Sequence, residues 1–129
     1  MNVYGGSVQE IPNKVITIEQ LDDMFSNIKE QGQWDITKPL LWGYFFTDSN
    51  PEKLETIAPK LQNMGYKVVS IFQAEQEDSN DPDLFYLHVE KIEIHDSQSL
   101  DKRNDEFYIF SSREGIESYD GMDVGPVDH

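Results

Sequence analysis

The sequence predicts an α+β domain: a four-stranded antiparallel sheet with two crossover helices on one face and an extra helix before the first strand. Two successive strand–helix–strand units indicate this fold, the first in residues 40–73 and the second in residues 84–127. A polar loop joins them, which is the order that a ferredoxin-like βαββαβ sandwich requires. Residues 1–15 show no periodic pattern and are predicted to be a loosely ordered lead-in, so residues 16–129 form the single ferredoxin-like domain.

The extra N-terminal helix is predicted to begin after Thr17, because Gln20 three residues later completes a capping box. Gly32 suits its end. Four apolar residues at helical spacing form its stripe: Leu21, Met24, Phe25 and Ile28. The first strand is apolar on both faces, and the crossover helices are expected to cover only one of them. This amphipathic helix is the predicted partial cover of the second face; if it does not reach, an exposed aromatic patch there would mark a binding surface.

The first unit begins with an aromatic and apolar strand in residues 40–47. Asp48, Ser49 and Asn50 offer caps for the helix that follows, and Ser49 and Glu52 have the spacing of a capping box. Gly65 suits the left-handed residue that ends a helix. Strand residues return at positions 67–73. Because strand, helix and strand follow within so short a span, we expect the two strands to be parallel, with the helix packed across them.

The second unit follows an acidic loop and begins with a strand in residues 84–94. Its apolar residues occupy odd positions first and even positions later, which predicts a bulge or bend near residues 90–92. Asp96 and the serines after it offer caps for the second crossover helix, and Gly115 suits its end. A last strand is expected within residues 116–127.

The charge of the chain indicates the kind of partner it can bind. Aspartate and glutamate total 25 residues against 10 lysines and arginines, a formal net charge of -15. Such a charge argues against direct nucleic-acid binding and against anionic membrane surfaces, and it suits a partner with a basic face, such as a nuclease. The longest apolar run, residues 40–46, is too short to span a membrane, and no secretory signal is visible. A cytoplasmic location is therefore expected.

No arrangement of residues predicts catalysis or a metal site. His88, His95 and His129 lack ligand spacing, and cysteine is absent. Residues 78–83 begin like a calcium loop, but Gly is missing at the sixth position and Val89 stands where a bidentate Glu is required. The sequence contains neither a nucleophile elbow nor a phosphate-binding glycine loop. We therefore expect no metal, no cofactor and no enzymatic activity.

Three aromatic residues, Trp42, Tyr44 and Phe46, alternate along the first strand. Sheet aromatics of this kind stack RNA bases in some ferredoxin-like domains. The basic residues that normally accompany them are absent from this strand, so core packing is the predicted role of the three rings.

Two motifs resemble the regulator of ribonuclease E activity B family. Residues 64–68 (Met-Gly-Tyr-Lys-Val) lie at the predicted end of the first crossover helix, and residues 117–121 (Glu-Ser-Tyr-Asp-Gly) lead into the last strand. The resemblance covers residues 16–127, most of the chain. It implies a small, acidic, ferredoxin-like protein that binds the endonuclease ribonuclease E and restrains its cleavage of RNA.

Two acidic clusters are the predicted partner-binding residues. The first lies on the loop between the second and third strands: Glu75, Glu77, Asp78, Asp81 and Asp83. The second flanks the last strand: Glu114, Glu117, Asp120 and Asp123. The alternative interpretation of both clusters is a solvated rim. In the functional hypothesis, some of these carboxylates face the basic, RNA-binding surface of a nuclease, where they steer association and block substrate.

The sequence therefore predicts a non-catalytic protein that inhibits or regulates an endoribonuclease of the ribonuclease E type. An immunity protein that neutralises a cognate nuclease toxin would share its small size, its acidity and its lack of catalytic motifs. A third alternative is a small-ligand binder or enzyme that uses the open sheet face. A deep apolar pocket with a desolvated carboxylate or histidine would favour that third alternative.

Overall fold

A computed structural model describes residues 11–32 and 34–127. Within these ranges the chain forms three helices: α1 (Ile18–Gln31), α2 (Pro51–Asn63) and α3 (Ser97–Glu114). It also forms four strands: β1 (Leu40–Asp48), β2 (Lys67–Gln73), β3 (Phe85–Glu93) and β4 (Ser118–Gly125). Residues 1–10 of the predicted lead-in, and His129, lie outside the described residues. The division of the chain at residue 16 stays a prediction.

The four strands form one antiparallel sheet in the order β2-β3-β1-β4. The α+β class predicted from the sequence is therefore confirmed. The strands on either side of α2, β1 and β2, run parallel to each other as expected, although β3 lies between them and pairs with both. β1 lies between β3 and β4, and this central position accounts for its long apolar and aromatic run.

The even-numbered residues of β1 point toward the helices. Trp42, Tyr44 and Phe46 are fully buried there, and the ring of Phe107 in α3 lies 5.0 Å from the rings of both Tyr44 and Phe46. Core packing, the role predicted for these aromatics, is therefore confirmed. Each ring removes about 150–250 Å² of surface from water, so a few of them build most of the core.

Helix α1 packs beside α3, on the same face of the sheet as α2. The ring of Phe25 lies 6.0 Å from that of Trp42. Leu21 joins the core that Leu54 of α2 and Phe107 of α3 also build. The prediction that α1 covers part of the second face is therefore wrong. Its apolar stripe instead extends the helical layer over the large Trp42 ring, which otherwise would stay partly wet.

Strand β3 has no bulge against β1, so the bulge predicted near residues 90–92 is wrong. The two strands pair without a shift from Leu40 opposite Glu93 to Asp48 opposite Phe85. The register shifts lie elsewhere, in β2 next to Val68 and between β1 and β4. The change in apolar phase has another cause: polar side chains near the end of β3 turn toward polar partners on the helical side, and Ile92 is left exposed.

The N-cap of α2 is one of the three residues predicted to offer it. Asn50 is the N-cap, and its side chain accepts a hydrogen bond from the backbone N–H of Glu52. The capping box predicted for Ser49 is absent. Ser49 instead donates from its N–H and its Oγ to the carboxylate of Glu117, at 3.1 and 2.9 Å. This contact holds the β1–α2 loop against the α3–β4 loop.

Candidate binding surface

The sheet turns one face away from all three described helices. We call it the open face. β1 contributes its odd-numbered residues to this face, and β3 contributes the even-numbered residues that pair with them, from Tyr86 to Ile92. The open face is where an α+β domain with helices on one side offers a flat surface of mixed apolar and polar side chains.

An aromatic row crosses the open face from β2 to β1. The rings of Phe72 and Tyr86 stack at 5.5 Å with 8° between their planes, and those of Phe45 and His88 stack at 4.5 Å with 15° between theirs. Tyr86 and Phe45 meet edge to face at 6.5 Å, which links the two stacks. Phe72 is 42% exposed. The row therefore presents aromatic surface of the kind that binding sites use.

Beside the aromatic row, Gly43 of β1 forms the floor of a depression of about 230 Å³. A Cβ atom at Gly43 would collide with Asp123 Oδ1 and His88 Nε2, so these two side chains lie directly over the glycine backbone. Leu41 and Glu90 also line this depression. We call this depression the glycine pocket. It exists because glycine, alone among residues, leaves room for such close approach within a strand.

Carboxylates dominate the charge around these features. Asp123 and Glu90 line the glycine pocket, while Lys67 Nζ lies 3.8 Å from Glu90 on the same face. Burial, and then the negative charge of Asp120, raise the pKa of Tyr86. Tyr86 therefore stays protonated, and its hydroxyl is available as a donor on an acidic, aromatic face.

The first predicted acidic cluster lies on the β2–β3 loop, and all five of its side chains are exposed. The loop uses several of these carboxylates to hold its own turn. Asp78 Oδ1 accepts from the N–H of Asn80, and Asp81 Oδ2 accepts from the N–H of Asp78. Asp83 accepts from the side-chain amides of Gln73 and Gln76. All five carboxylates are thus exposed to solvent, and three of them are held in place by these hydrogen bonds.

The second predicted cluster is divided between two places. Glu114 pairs with Lys60 of α2, and Glu117 is bound by Ser49. Asp120 and Asp123 lie on the open face instead. Glu117 and the β2–β3 loop lie at the same end of the sheet, because β1 ends where β3 and β4 begin.

A polar cluster that sequence reasoning missed lies on the helical side, around Glu93 at the end of β3. Arg103 Nη1 donates to both carboxylate oxygens at 2.7 and 2.8 Å, and the hydroxyl of Tyr44 donates to Oε2 at 2.8 Å. His95 Nε2 lies 3.1 Å from the same oxygen. Burial raises the pKa of Glu93, but hydrogen bonds from His95, Arg103 and Tyr44 outweigh it and lower this pKa to about 2.

An apolar cleft of about 560 Å³ opens beside this polar cluster, with Phe25, Ile36 and Ile94 among its walls. His95 lines this cleft, and a histidine in an apolar cleft is a feature of many enzyme and ligand-binding sites. Its ring nitrogens are already engaged, Nε2 by Glu93 and Tyr44 and Nδ1 by Ser99 at 2.9 Å. The cleft opens on the helical side, beside Phe25 of α1, and not on the open face that the third alternative uses. The cleft therefore lends no support to the third alternative.

Two further findings concern the described residues as a whole. Within residues 11–32 and 34–127, no group of three or more His, Asp or Glu side chains could hold a metal ion. None of the three helices found there is long and apolar enough to cross a membrane.

These features define an acidic α+β protein whose sheet turns one face away from its helices. The family model for regulator of ribonuclease activity B matches residues 18–124, from the first residue of α1 into β4. The chain therefore belongs to this family of ribonuclease regulators, and the resemblance drawn from the two motifs is confirmed. No curated protein was found to match the chain.

Proposed function

We propose that this chain is a non-catalytic regulator that binds an endoribonuclease of the ribonuclease E type and restrains its cleavage of RNA. The observation that carries this proposal is the family match, which spans all three helices and reaches into β4. The element order and the strand order β2-β3-β1-β4 support a ferredoxin-like scaffold preceded by an extra helix. A regulator of this kind would act in the cytoplasm, where cellular RNA is processed.

Charge favours contact with a basic protein surface over contact with RNA. An endoribonuclease holds RNA through cationic side chains, and a chain with a net charge of -15 is attracted to the same surface. Once bound there, the regulator occupies the path of the RNA and repels its phosphates. It needs no catalytic group of its own for this.

The β2–β3 loop is the first candidate for the contact, because its carboxylates are exposed and the loop holds them in a fixed turn. Asp120 and Asp123 extend the acidic surface onto the open face. Glu114 and Glu117 already have partners within the chain, so we expect them to contribute less than the loop carboxylates.

The test is a cleavage assay with the full chain and the ribonuclease E-type enzyme of the same organism. Increasing amounts of the chain should lower the initial rate of RNA cleavage, and the affinity should weaken as salt rises, because exposed charges carry the contact. Capture of the enzyme on immobilised chain provides a direct measurement of binding. A cleavage rate that stays unchanged, together with no capture at low salt, would overturn the proposal.

The same capture, made from nuclease-treated lysate, separates the regulator from the immunity protein. A toxin nuclease recovered in place of the ribonuclease E-type enzyme would replace the proposed target, since acidity suits both partners equally. Recovery of the endoribonuclease alone would support the regulator.

A further inference from the structure

We infer that the glycine pocket on the open face receives an arginine side chain from the basic surface of the ribonuclease partner. This inference rests on the proposed function and adds to it a surface and the chemistry of the group that is bound. It places the specific contact on the open face, while the β2–β3 loop acts through longer-range attraction.

The pocket has the shape for a flat, charged group. Its floor is the backbone of Gly43, and Asp123 and His88 lie over that floor from the strands on either side. The space directly above Gly43 is already filled by Asp123 Oδ1 and His88 Nε2, so a bound group would rest against these two side chains and not on the glycine backbone. Glu90 places a second carboxylate at the same depression.

Arginine fits these walls better than lysine does. A guanidinium is planar and carries five N–H donors, so it can donate to two carboxylates at once, here those of Asp123 and Glu90. His88 lines the pocket through its Nε2 edge, and its ring already stacks on Phe45. The compact ammonium of lysine would gain the charge interaction without the planar fork of donors that matches carboxylates.

The surroundings of the pocket favour a protein partner over RNA. Phe72 is 42% exposed and Ile92 is 54% exposed, so apolar side chains of a partner have surface to pack against. RNA bases could stack on the aromatic row, but their phosphates would then approach Asp120, Asp123 and Glu90. This repulsion is absent for a basic protein segment.

The experiment is a titration of the isotope-labelled full chain, followed by NMR, with an oligoarginine peptide and an oligolysine peptide of equal length. The arginine peptide should shift the amide signals of Gly43, His88 and Asp123 and bind about fivefold more tightly than the lysine peptide. Asp123→Asn should weaken arginine binding about fivefold, because one charged hydrogen bond is lost. Asp23→Asn is the matched control, an exposed acid of α1 with the same loss of charge, and should change the affinity less than about twofold.

Several results would overturn the inference: equal affinity for the two peptides, shifts confined to the β2–β3 loop, or equal losses in the Asp123→Asn and Asp23→Asn variants. A single-stranded RNA oligonucleotide that binds the open face more tightly than the peptides would also overturn it.

The cleavage assay separates this inference from the proposed function. If the Asp123→Asn variant inhibits at the same concentrations as the unaltered chain, the arginine pocket is overturned and the regulator stays intact, whereas absence of inhibition by the unaltered chain would overturn the regulator itself.

Discussion

Arg103 Nη1 donates hydrogen bonds to both carboxylate oxygens of Glu93, at 2.7 and 2.8 Å. The pair joins the last residue of β3 to the second turn of α3, and both side chains are largely buried. Burying either charge alone would be costly, so the main contribution of the pair is that neither charge is left unpaired. The ion pair therefore fixes the sheet against the helix that covers its centre.

Replacing Arg103 by methionine should destabilise the fold by about 2 to 3 kcal/mol, because Glu93 is left in the interior without its cation. Urea unfolding near neutral pH measures the change. The matched control is Arg113→Met, the same substitution at an exposed residue in the last turn of α3, which should cost less than about 0.5 kcal/mol. Equal losses in the two variants would contradict the role given to the ion pair.

Glu93 should also make the stability of the fold depend on pH. Burial raises the pKa of its carboxyl, and hydrogen bonds from His95, Arg103 and Tyr44 outweigh that effect and lower the pKa from 4.5 to about 2. A carboxyl whose pKa is lower in the folded state stabilises fully above its unfolded pKa, and this contribution is lost as the pH falls through the folded pKa. The contribution of Glu93 should therefore decline from about pH 4.5 to about pH 2.

Urea unfolding of the unaltered chain and of the Glu93→Gln variant, measured across this pH range, tests that prediction. The difference in unfolding free energy should be largest at neutral pH and should shrink below about pH 4.5. A difference that stays constant down to the lowest pH would show that the charge of Glu93 is not what stabilises the fold.

Gly43→Ala should destabilise the fold by about 1 to 2 kcal/mol, because the new Cβ forces Asp123 and His88 away from the strand. Thermal unfolding measures the loss, and NMR should show displaced signals for these two residues. Gly125→Ala is the control: it lies on β4, and a Cβ there would meet nothing within 4 Å. If the two variants unfold alike, the close approach at Gly43 has no energetic consequence.

The local pattern of the sequence predicted the helices well and failed on which face of the sheet α1 covers. The cap at Thr17 and the stripe containing Leu21 and Phe25 define where α1 begins and which of its sides is apolar. They do not say which apolar surface that side meets, because β1 is apolar on both faces. Only the burial of Trp42 beneath Phe25, a contact between residues distant in sequence, decides it.

The polar cluster around Glu93 was missed, and the open-face site was predicted only for the case in which α1 leaves that face uncovered. Lys91 and Glu93 interrupt the apolar alternation of β3, and the interruption predicted a bulge or bend because their partners, the ring of Tyr66 and the guanidinium of Arg103, lie outside β3. The open-face site had one local signal, a glycine inside an aromatic strand, which often marks close approach of another group. The identity of that group depends on the registers of β3 and β4 against β1, which no local pattern specifies.

Charge reversal on the β2–β3 loop should slow association with the endoribonuclease. Changing Asp78, Asp81 and Asp83 to lysine should reduce the association rate about tenfold at low salt and flatten its salt dependence, while dissociation changes little, since exposed charges act mainly on encounter. Stopped-flow mixing with the labelled enzyme measures both rates.

Two controls separate the loop from the net charge and from the shape of its turn. Lysine at Glu19, Glu30 and Glu55, exposed residues of α1 and α2, makes the same change in net charge at a distance from the loop and should slow association far less. Asparagine at the three loop positions keeps the side-chain oxygen that accepts the turn's hydrogen bonds, so it should slow association by removing charge alone. Equal slowing by the helix and loop lysine variants would mean that only the net charge steers the encounter. No slowing in any variant would remove the loop from the contact and leave the open face as the surface that binds.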